Sequence, residues 1–219
     1  MFDYAPLWIS LRASILASII VFVLGTLAAR LCLNLKGRFV WMLDVLFTLP
    51  MVLPPTVLGF FLLVLFGRNS FLGGVLGTLG VPVIFSWHAT VIAAVVVSFP
   101  LMYKGAKGAL EQVDMEHVWA ARTLGMSEFR LFVKVMLPEA GPGILAGLAL
   151  SFARALGEFG ATLMIAGNIP GKTQTIPMAI YFATAGGDME TAWIWVGVIT
   201  VVSCVALAVM NHLGKKERS

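Results

Sequence analysis

Five segments of this chain, residues 13–29, 45–67, 71–103, 140–153 and 191–213, contain no Asp, Glu, Lys or Arg. Backbone in hydrocarbon has no water to satisfy it, so a continuous apolar run crosses a bilayer as a helix that closes its own hydrogen bonds, and about 20 residues suffice. Composition agrees, with 59% hydrophobic and only 12% charged residues, where a soluble domain carries about a quarter charged. The sequence therefore predicts an all-α membrane protein, a single transmembrane domain over residues 1–219 with five spans at about 9–31, 45–67, 86–104, 139–166 and 191–213. The fourth reaches spanning length only by running on through Arg154 and Glu158 to about Ala166. The third segment is too long for one helix, and its Gly-rich part, 71–82, reads as an external loop or a half-inserted turn.

Charge sets the expected orientation. With the N-terminus outside and the C-terminus in the cytoplasm, the inner segments hold Arg30, Lys36, Arg38, Lys104, Lys107, Arg122, Arg130, Lys134, Lys215, Lys216 and Arg218. The outer segments hold only Arg12, Arg68 and Lys172, which is the asymmetry the positive-inside rule describes. The net charge of +4 is thus a topology signal, and no basic patch with interleaved aromatics points to nucleic acid. Asp3 precedes the first apolar segment in place of a basic n-region, so that segment reads as a retained helix and not a secretion signal.

The chain carries no catalytic pattern. Cys32 and Cys204 are too few for a disulfide framework or a zinc site. His88, His117 and His212 lack metal-ligand spacing, and there is no Walker loop, HExxH or GxSxG. No catalytic residue, metal site or cofactor is expected on this chain.

Several residues inside the apolar segments are costly there. Pro50, Pro54 and Pro55, with Thr56 and Gly59, fall in the second span, and each proline deletes a backbone donor, so this helix must kink or unwind. Pro100, shortly after Ser98, raises the same question in the third. Broken helices serve both as plain bends and as transport pathways, so Pro54, Pro55, Thr56 and Ser98 are pathway or gate candidates. Arg154 and Glu158 are opposite charges one helical turn apart, expected within one span, where a central arginine costs about 2.5–3.5 kcal/mol on insertion scales. They read either as an ion pair that locks helices or as a cation on an anion route, Arg154, held by Glu158. Gly157, Gly160 and Ala161 beside them permit close helix approach.

Between the third and fourth spans, residues 105–138 form the one long polar loop, and its part 116–138 has internal order. The spacing predicts helices over 115–124 and 127–136, each with apolar groups three and four residues apart: Met115, Val118 and Trp119, then Phe129, Phe132, Val133 and Met136. Gly125 suits a left-handed cap ending the first, Ser127 an N-cap of the second, and Pro138 a break before the membrane resumes. Ala120, Ala121, Gly125, Leu137 and Pro138 stand in the register of the "EAA" loop of ABC-importer permeases, which the segment resembles. Trp119 stands where the pattern has Glu, and Val135 where it has Ile. The resemblance implies that the loop docks a cytoplasmic ATPase and passes its movement to the membrane helices, through Trp119, Ala120, Ala121, Gly125 and Pro138, with Glu116 as a substitute acidic contact.

The runs RALGEFGAT, GNIPGKTQTIPMAIYFATAGGD over 167–188, and LPPTVLGF in the second span are similar to the permeases of molybdate importers; sulfate and tungstate permeases share the GNI turn. The similarity covers most of residues 49–188. It implies a five-helix core with a coupling-helix loop in a prokaryotic inner membrane, a homodimer of this chain, two copies of an ATPase that carry ATP and Mg, and an extracytoplasmic solute-binding protein. Two other classes remain: a secondary transporter, for which internal repeats and ion-coupled buried carboxylates are lacking, and a membrane scaffold, which has no use for an ordered loop.

Overall fold

A computed structural model of the chain describes residues 3–35 and 37–216, with side chains through residue 209. Lys36 and Arg218, and the side chains of His212, Lys215 and Lys216, fall outside the described residues. The described residues are helical throughout, without a strand: α1 (Ala5–Asn34), α2 (Arg38–Val52), α3 (Pro55–Phe66), α4 (Phe71–Thr78), α5 (Trp87–Glu111), α6 (Met115–Thr123), α7 (Glu128–Leu131), a π-helical turn (Phe132–Met136), α8 (Leu137–Leu156), α9 (Gly160–Ala166), α10 (Ile176–Ala185) and α11 (Met189–Lys216). Among the described residues four helical segments are long and apolar enough to cross a membrane, and α2 with α3 makes a fifth if the bent pair counts as one span.

The packing is that of a protein whose solvent is lipid. On α1 the buried face consists largely of small residues, Ser10, Ala13, Ser14, Ala17, Ser18, Gly25 and Ala29, while Ile15, Ile19, Val23, Leu27 and Leu31 point outward. Where lipid is as apolar as leucine, close backbone approach and dispersion hold helices together, and small residues allow it. Thus α1, α5 and α8 pack mutually at the centre. A second cluster joins α3, α5 and α9 through Leu58, Leu62, Ala93, Val97, Ala161 and Ile165.

Prolines act here by position. Leu53 and Pro54 each precede a proline and are pushed out of the helical region, to ψ 139° and 140°. Two successive extended residues turn the chain by 112° between α2 and α3, so the stretch 45–67 is not one straight helix. Pro138, by contrast, does not break its helix, which corrects the expectation. The Leu137 N–H bonds the Phe132 carbonyl five residues back, and this widened turn carries the chain from α7 into α8, whose first turn tolerates a proline because no intrahelical donor is needed there.

Three further expectations change. The segment 139–166 is not one helix, because α8 stops at Leu156 and α9 starts at Gly160, so Arg154 lies in the last turn of α8 and Glu158 within the break. Residues 71–78, read as loop or turn, form the helix α4, which Ser70 caps through the Gly73 N–H at 2.9 Å. Ser127 occupies the N-cap position of α7 but makes no side-chain cap bond.

Candidate functional site

The polar loop folds as a helical hairpin fixed to the membrane core. Asp114 caps α6 through the Glu116 N–H at 2.8 Å. At the other end Gly125, at φ 75°, allows a Schellman closure, with Met126 N–H donating to the Ala121 carbonyl at 3.1 Å and Gly125 N–H to that of Arg122 at 2.9 Å. Arg122 then reaches across the turn to Glu128 at 2.8 Å.

One face of the hairpin is buried. Val118, Ala121, Leu131 and Phe132 join Met102, Tyr103, Ala106 and Ile144 in the core formed by α1, α5 and α8. Polar braces reinforce the joint: Arg30 of α1 stacks on the Phe132 ring at 4.0 Å and donates to the Glu128 carbonyl at 3.0 Å. Glu139, in the first turn of α8, accepts from the Asp114 N–H at 2.8 Å and contacts His117 Nδ1 at 3.0 Å. This carboxylate raises the His117 imidazole above its ordinary pKa, and Glu128 likewise raises the Arg122 guanidinium.

The opposite face leaves Trp119 at 59%, Leu124 at 84% and Phe129 at 75% exposure, and Met115 and Val133 are exposed as well. Glu116, Ala120, Gly125 and Pro138 are also exposed, whereas Ala121 is an anchor turned into the core. Leu124, the last residue of the expected helix 115–124, lies in the turn after α6 and off the apolar spacing of that helix. The braces Arg30 and Glu139 come from other elements and left no local signal.

All the sequence-derived pathway residues except Ser98 lie at two helix breaks. Glu158 is buried, with 3% exposure; one of its carboxylate oxygens accepts from the Ala161 N–H at 2.7 Å, and the other pairs with Arg154 Nη1 at 2.7 Å. It thereby satisfies the first turn of α9 while holding the last turn of α8, and Arg154 keeps a third of its side chain exposed. Gly160 packs against the other break: a β-carbon on it would stand 3.1 Å from Pro55 Cβ and 3.5 Å from Thr56 N. Pro54 and Thr56 are exposed at this elbow. Ser98 is fully buried elsewhere on α5, its hydroxyl returned to the Ala94 carbonyl at 2.6 Å.

A third polar cluster has no precedent in the sequence reading. Lys107 Nζ lies 2.8 and 2.6 Å from the two oxygens of Asp44, and the Tyr103 hydroxyl donates to the same carboxylate. Phe47 packs edge-on against Phe99 and Tyr103 alongside. This clasp ties α2, which has no buried residue, to α5. Tyr103 and Lys107 stand one helical turn apart, and Asp44 falls at the margin of an apolar segment; that was the available signal.

Comparison with known proteins agrees with this geometry. YvgM of Bacillus subtilis (strain 168) is 46% identical, covering 93% of this chain and 90% of that protein. The molybdenum transport system permease protein ModB of Escherichia coli (strain K12) is 39% identical, covering 99% and 95%. In the solved inward-facing MetNI methionine ABC transporter, a chain 15% identical superposes with a TM-score of 0.77 over 97% of this chain and 94% of that one, a likeness of fold. Residues 21–219 match the model of the binding-protein-dependent transport system inner membrane component, and with several apolar helices and an exposed hairpin braced to them, the chain is a multi-pass membrane protein that belongs to this family of transport permeases.

Proposed function

We propose that this chain is the permease subunit of an ATP-driven importer that moves molybdate, or a related oxyanion such as tungstate or sulfate, across the cell membrane. The observation that carries the reading is the hairpin, apolar on its exposed face and rigidly joined to three membrane helices on the other. A cytoplasmic ATPase dimer, carrying the ATP and Mg, seats the Trp119, Leu124 and Phe129 face; its closure displaces α6 and α7. Because Val118 and Phe132 are packed into the core, Arg30 ties α1 to Glu128 and Phe132 of the hairpin, and Glu139 opens α8, this displacement reaches α1, α5 and α8 without a flexible link. Trp119 contributes apolar contact where related loops have Glu, and Glu116 supplies an exposed carboxylate nearby.

The chain works as a homodimer with an extracytoplasmic binding protein, its N-terminus outside and the hairpin inside, in keeping with the Lys and Arg asymmetry. A dianion meets an electrostatic barrier in an apolar passage, and one partly exposed guanidinium lowers it. Arg154 has that exposure, and Glu158 tempers its charge so that the anion can leave. The test is uptake of labelled molybdate into proteoliposomes containing this chain, the ATPase and the binding protein. Uptake that requires ATP and all three components supports the reading; uptake without the ATPase, driven by an ion gradient, overturns it in favour of a secondary transporter.

A further inference from the structure

Two of the few basic side chains at the end of the molecule away from the hairpin converge on one pocket. Arg12 of α1 and Lys172, in the loop before α10, line a cavity of about 580 Å³ together with Trp8 and Trp87. Arg12 lies over the Trp8 ring at 5.7 Å. Both cations are exposed, and neither forms an ion pair among the described residues. The nearest acid along α1, Asp3, is engaged with the Ala5 N–H and lines a separate cavity beside Gln174. The pocket thus holds unpaired positive charge between two tryptophans, the residue type that collects at membrane–water interfaces.

What lies below the pocket on α1 selects the ligand. At 100° per residue, Trp8, Arg12, Ile15, Ile19 and Val23 fall on one face of the helix, and Ile15, Ile19 and Val23 are all exposed. From Arg12 to Val23 this face descends about 16 Å at 1.5 Å per residue, close to half of the roughly 30 Å hydrocarbon core. A cationic pocket at interface level that continues into an apolar stripe one leaflet deep matches the shape and charge of a single phospholipid. We propose that this pocket binds the phosphate of an anionic phospholipid, whose acyl chain lies along Ile15, Ile19 and Val23. Arg12 at a membrane surface suffices for this binding, whatever the transported substrate and whichever way the chain is oriented.

The test is native mass spectrometry of the full-length detergent-purified protein, titrated with phosphatidylglycerol and phosphatidylcholine of equal chain length. Wild type should retain phosphatidylglycerol in preference. Lys172→Gln, an exposed loop change with no packing to lose, should weaken that binding about 5-fold, and the double variant with Arg12→Gln about 30-fold, as expected for one and two basic residues against an anionic lipid surface. Arg12→Lys should keep most of it, and phosphatidylcholine binding should not change. Equal retention of both lipids, or phosphatidylglycerol binding indifferent to Lys172→Gln, would overturn the proposal. So would competition by millimolar sulfate with no lipid preference, which would make the pocket a free-anion site. High-yield crosslinking of Ile19→Cys between two copies would also overturn it, by giving the stripe to a protein interface.

Discussion

Gly105 of α5 lies so close to Gly147 of α8 that a β-carbon built on it would stand 2.7 Å from the Gly147 Cα. That neighbour is backbone and cannot rotate away. Gly108, three residues on in the same helix, has nothing within 4 Å of its β-position. The same substitution should therefore act with opposite sign at the two sites. Gly105→Ala should destabilise the protein by about 1–3 kcal/mol through overpacking, and Gly108→Ala should be neutral or stabilise it by up to about 1 kcal/mol through helix propensity. Thermal unfolding in one detergent, scored side by side, checks the contrast; equal effects would contradict the close α5–α8 approach.

At Gly125 the constraint is conformational. Its φ of 75° is left-handed, yet the space around it is open, so a side chain is opposed by the backbone alone. Gly125→Val should disturb the hairpin turn, at a cost of about 1–2 kcal/mol, and reduce both co-purification with the ATPase and ATP-driven uptake. Gly125→Asn should retain most of each, because asparagine tolerates this region. Full uptake by a normally inserted Val variant would disconnect the turn from coupling.

Much of this architecture was legible because charge is scarce in lipid. The charge-free runs mark the apolar helices, and Pro54–Pro55 marks the elbow, since each residue before a proline is forced extended. Pro138 carries the same residue type but sits in a first turn, where the missing N–H has no cost, and the sequence does not reveal the π-turn that accommodates it. Arg154 and Glu158 are recognisable by their spacing, whereas the break that holds Glu158 depends on that residue capping α9, a contact specified by burial. Asp44, Lys107 and Glu139 pair with groups distant in sequence, so no local pattern exposes them.

The His117–Glu139 contact should make the hairpin brace pH-dependent. Glu139 raises the folded-state pKa of His117 above its ordinary 6.5. The stabilisation is then fully present below the unfolded value and is lost as pH rises through the folded one. His117→Gln should lower the melting temperature relative to wild type in mildly acidic buffer and leave it unchanged in alkaline buffer. Because the ring is exposed, added salt should shrink the difference. A wild-type advantage that instead grows with pH would contradict the brace.

Asp44 and Lys107 should behave as a coupled pair. Asp44→Asn or Lys107→Gln alone leaves a half-buried charge without its partner, so each should loosen α2 from α5 more than the double substitution does. A coupling of about 1–3 kcal/mol is expected from the double-mutant cycle. Protease sensitivity between α2 and α3 gives a local readout, and additive effects would mean that the clasp does not hold α2.

The Arg154–Glu158 pair separates a structural lock from an anion route through an asymmetry in burial. Glu158 is sealed in the core, while a third of the Arg154 side chain is exposed. Arg154→Gln leaves a buried carboxylate with only the Ala161 N–H, and Glu158→Gln leaves a guanidinium that can turn outward, its amide oxygen still able to cap α9. A pure lock therefore predicts that Arg154→Gln is the more destabilising, by up to about 3 kcal/mol, with uptake falling only as far as assembled complex is lost. An anion route predicts that uptake per assembled complex itself falls in Arg154→Gln and is restored in part by Arg154→Lys, which keeps the charge but not the planar guanidinium. Glu158→Gln should then slow release, since the cation is no longer tempered. Normalising molybdate uptake to co-purified ATPase distinguishes the two: an unchanged ratio in Arg154→Gln removes the residue from the route and leaves the pair as the fastening between two halves of a broken helix.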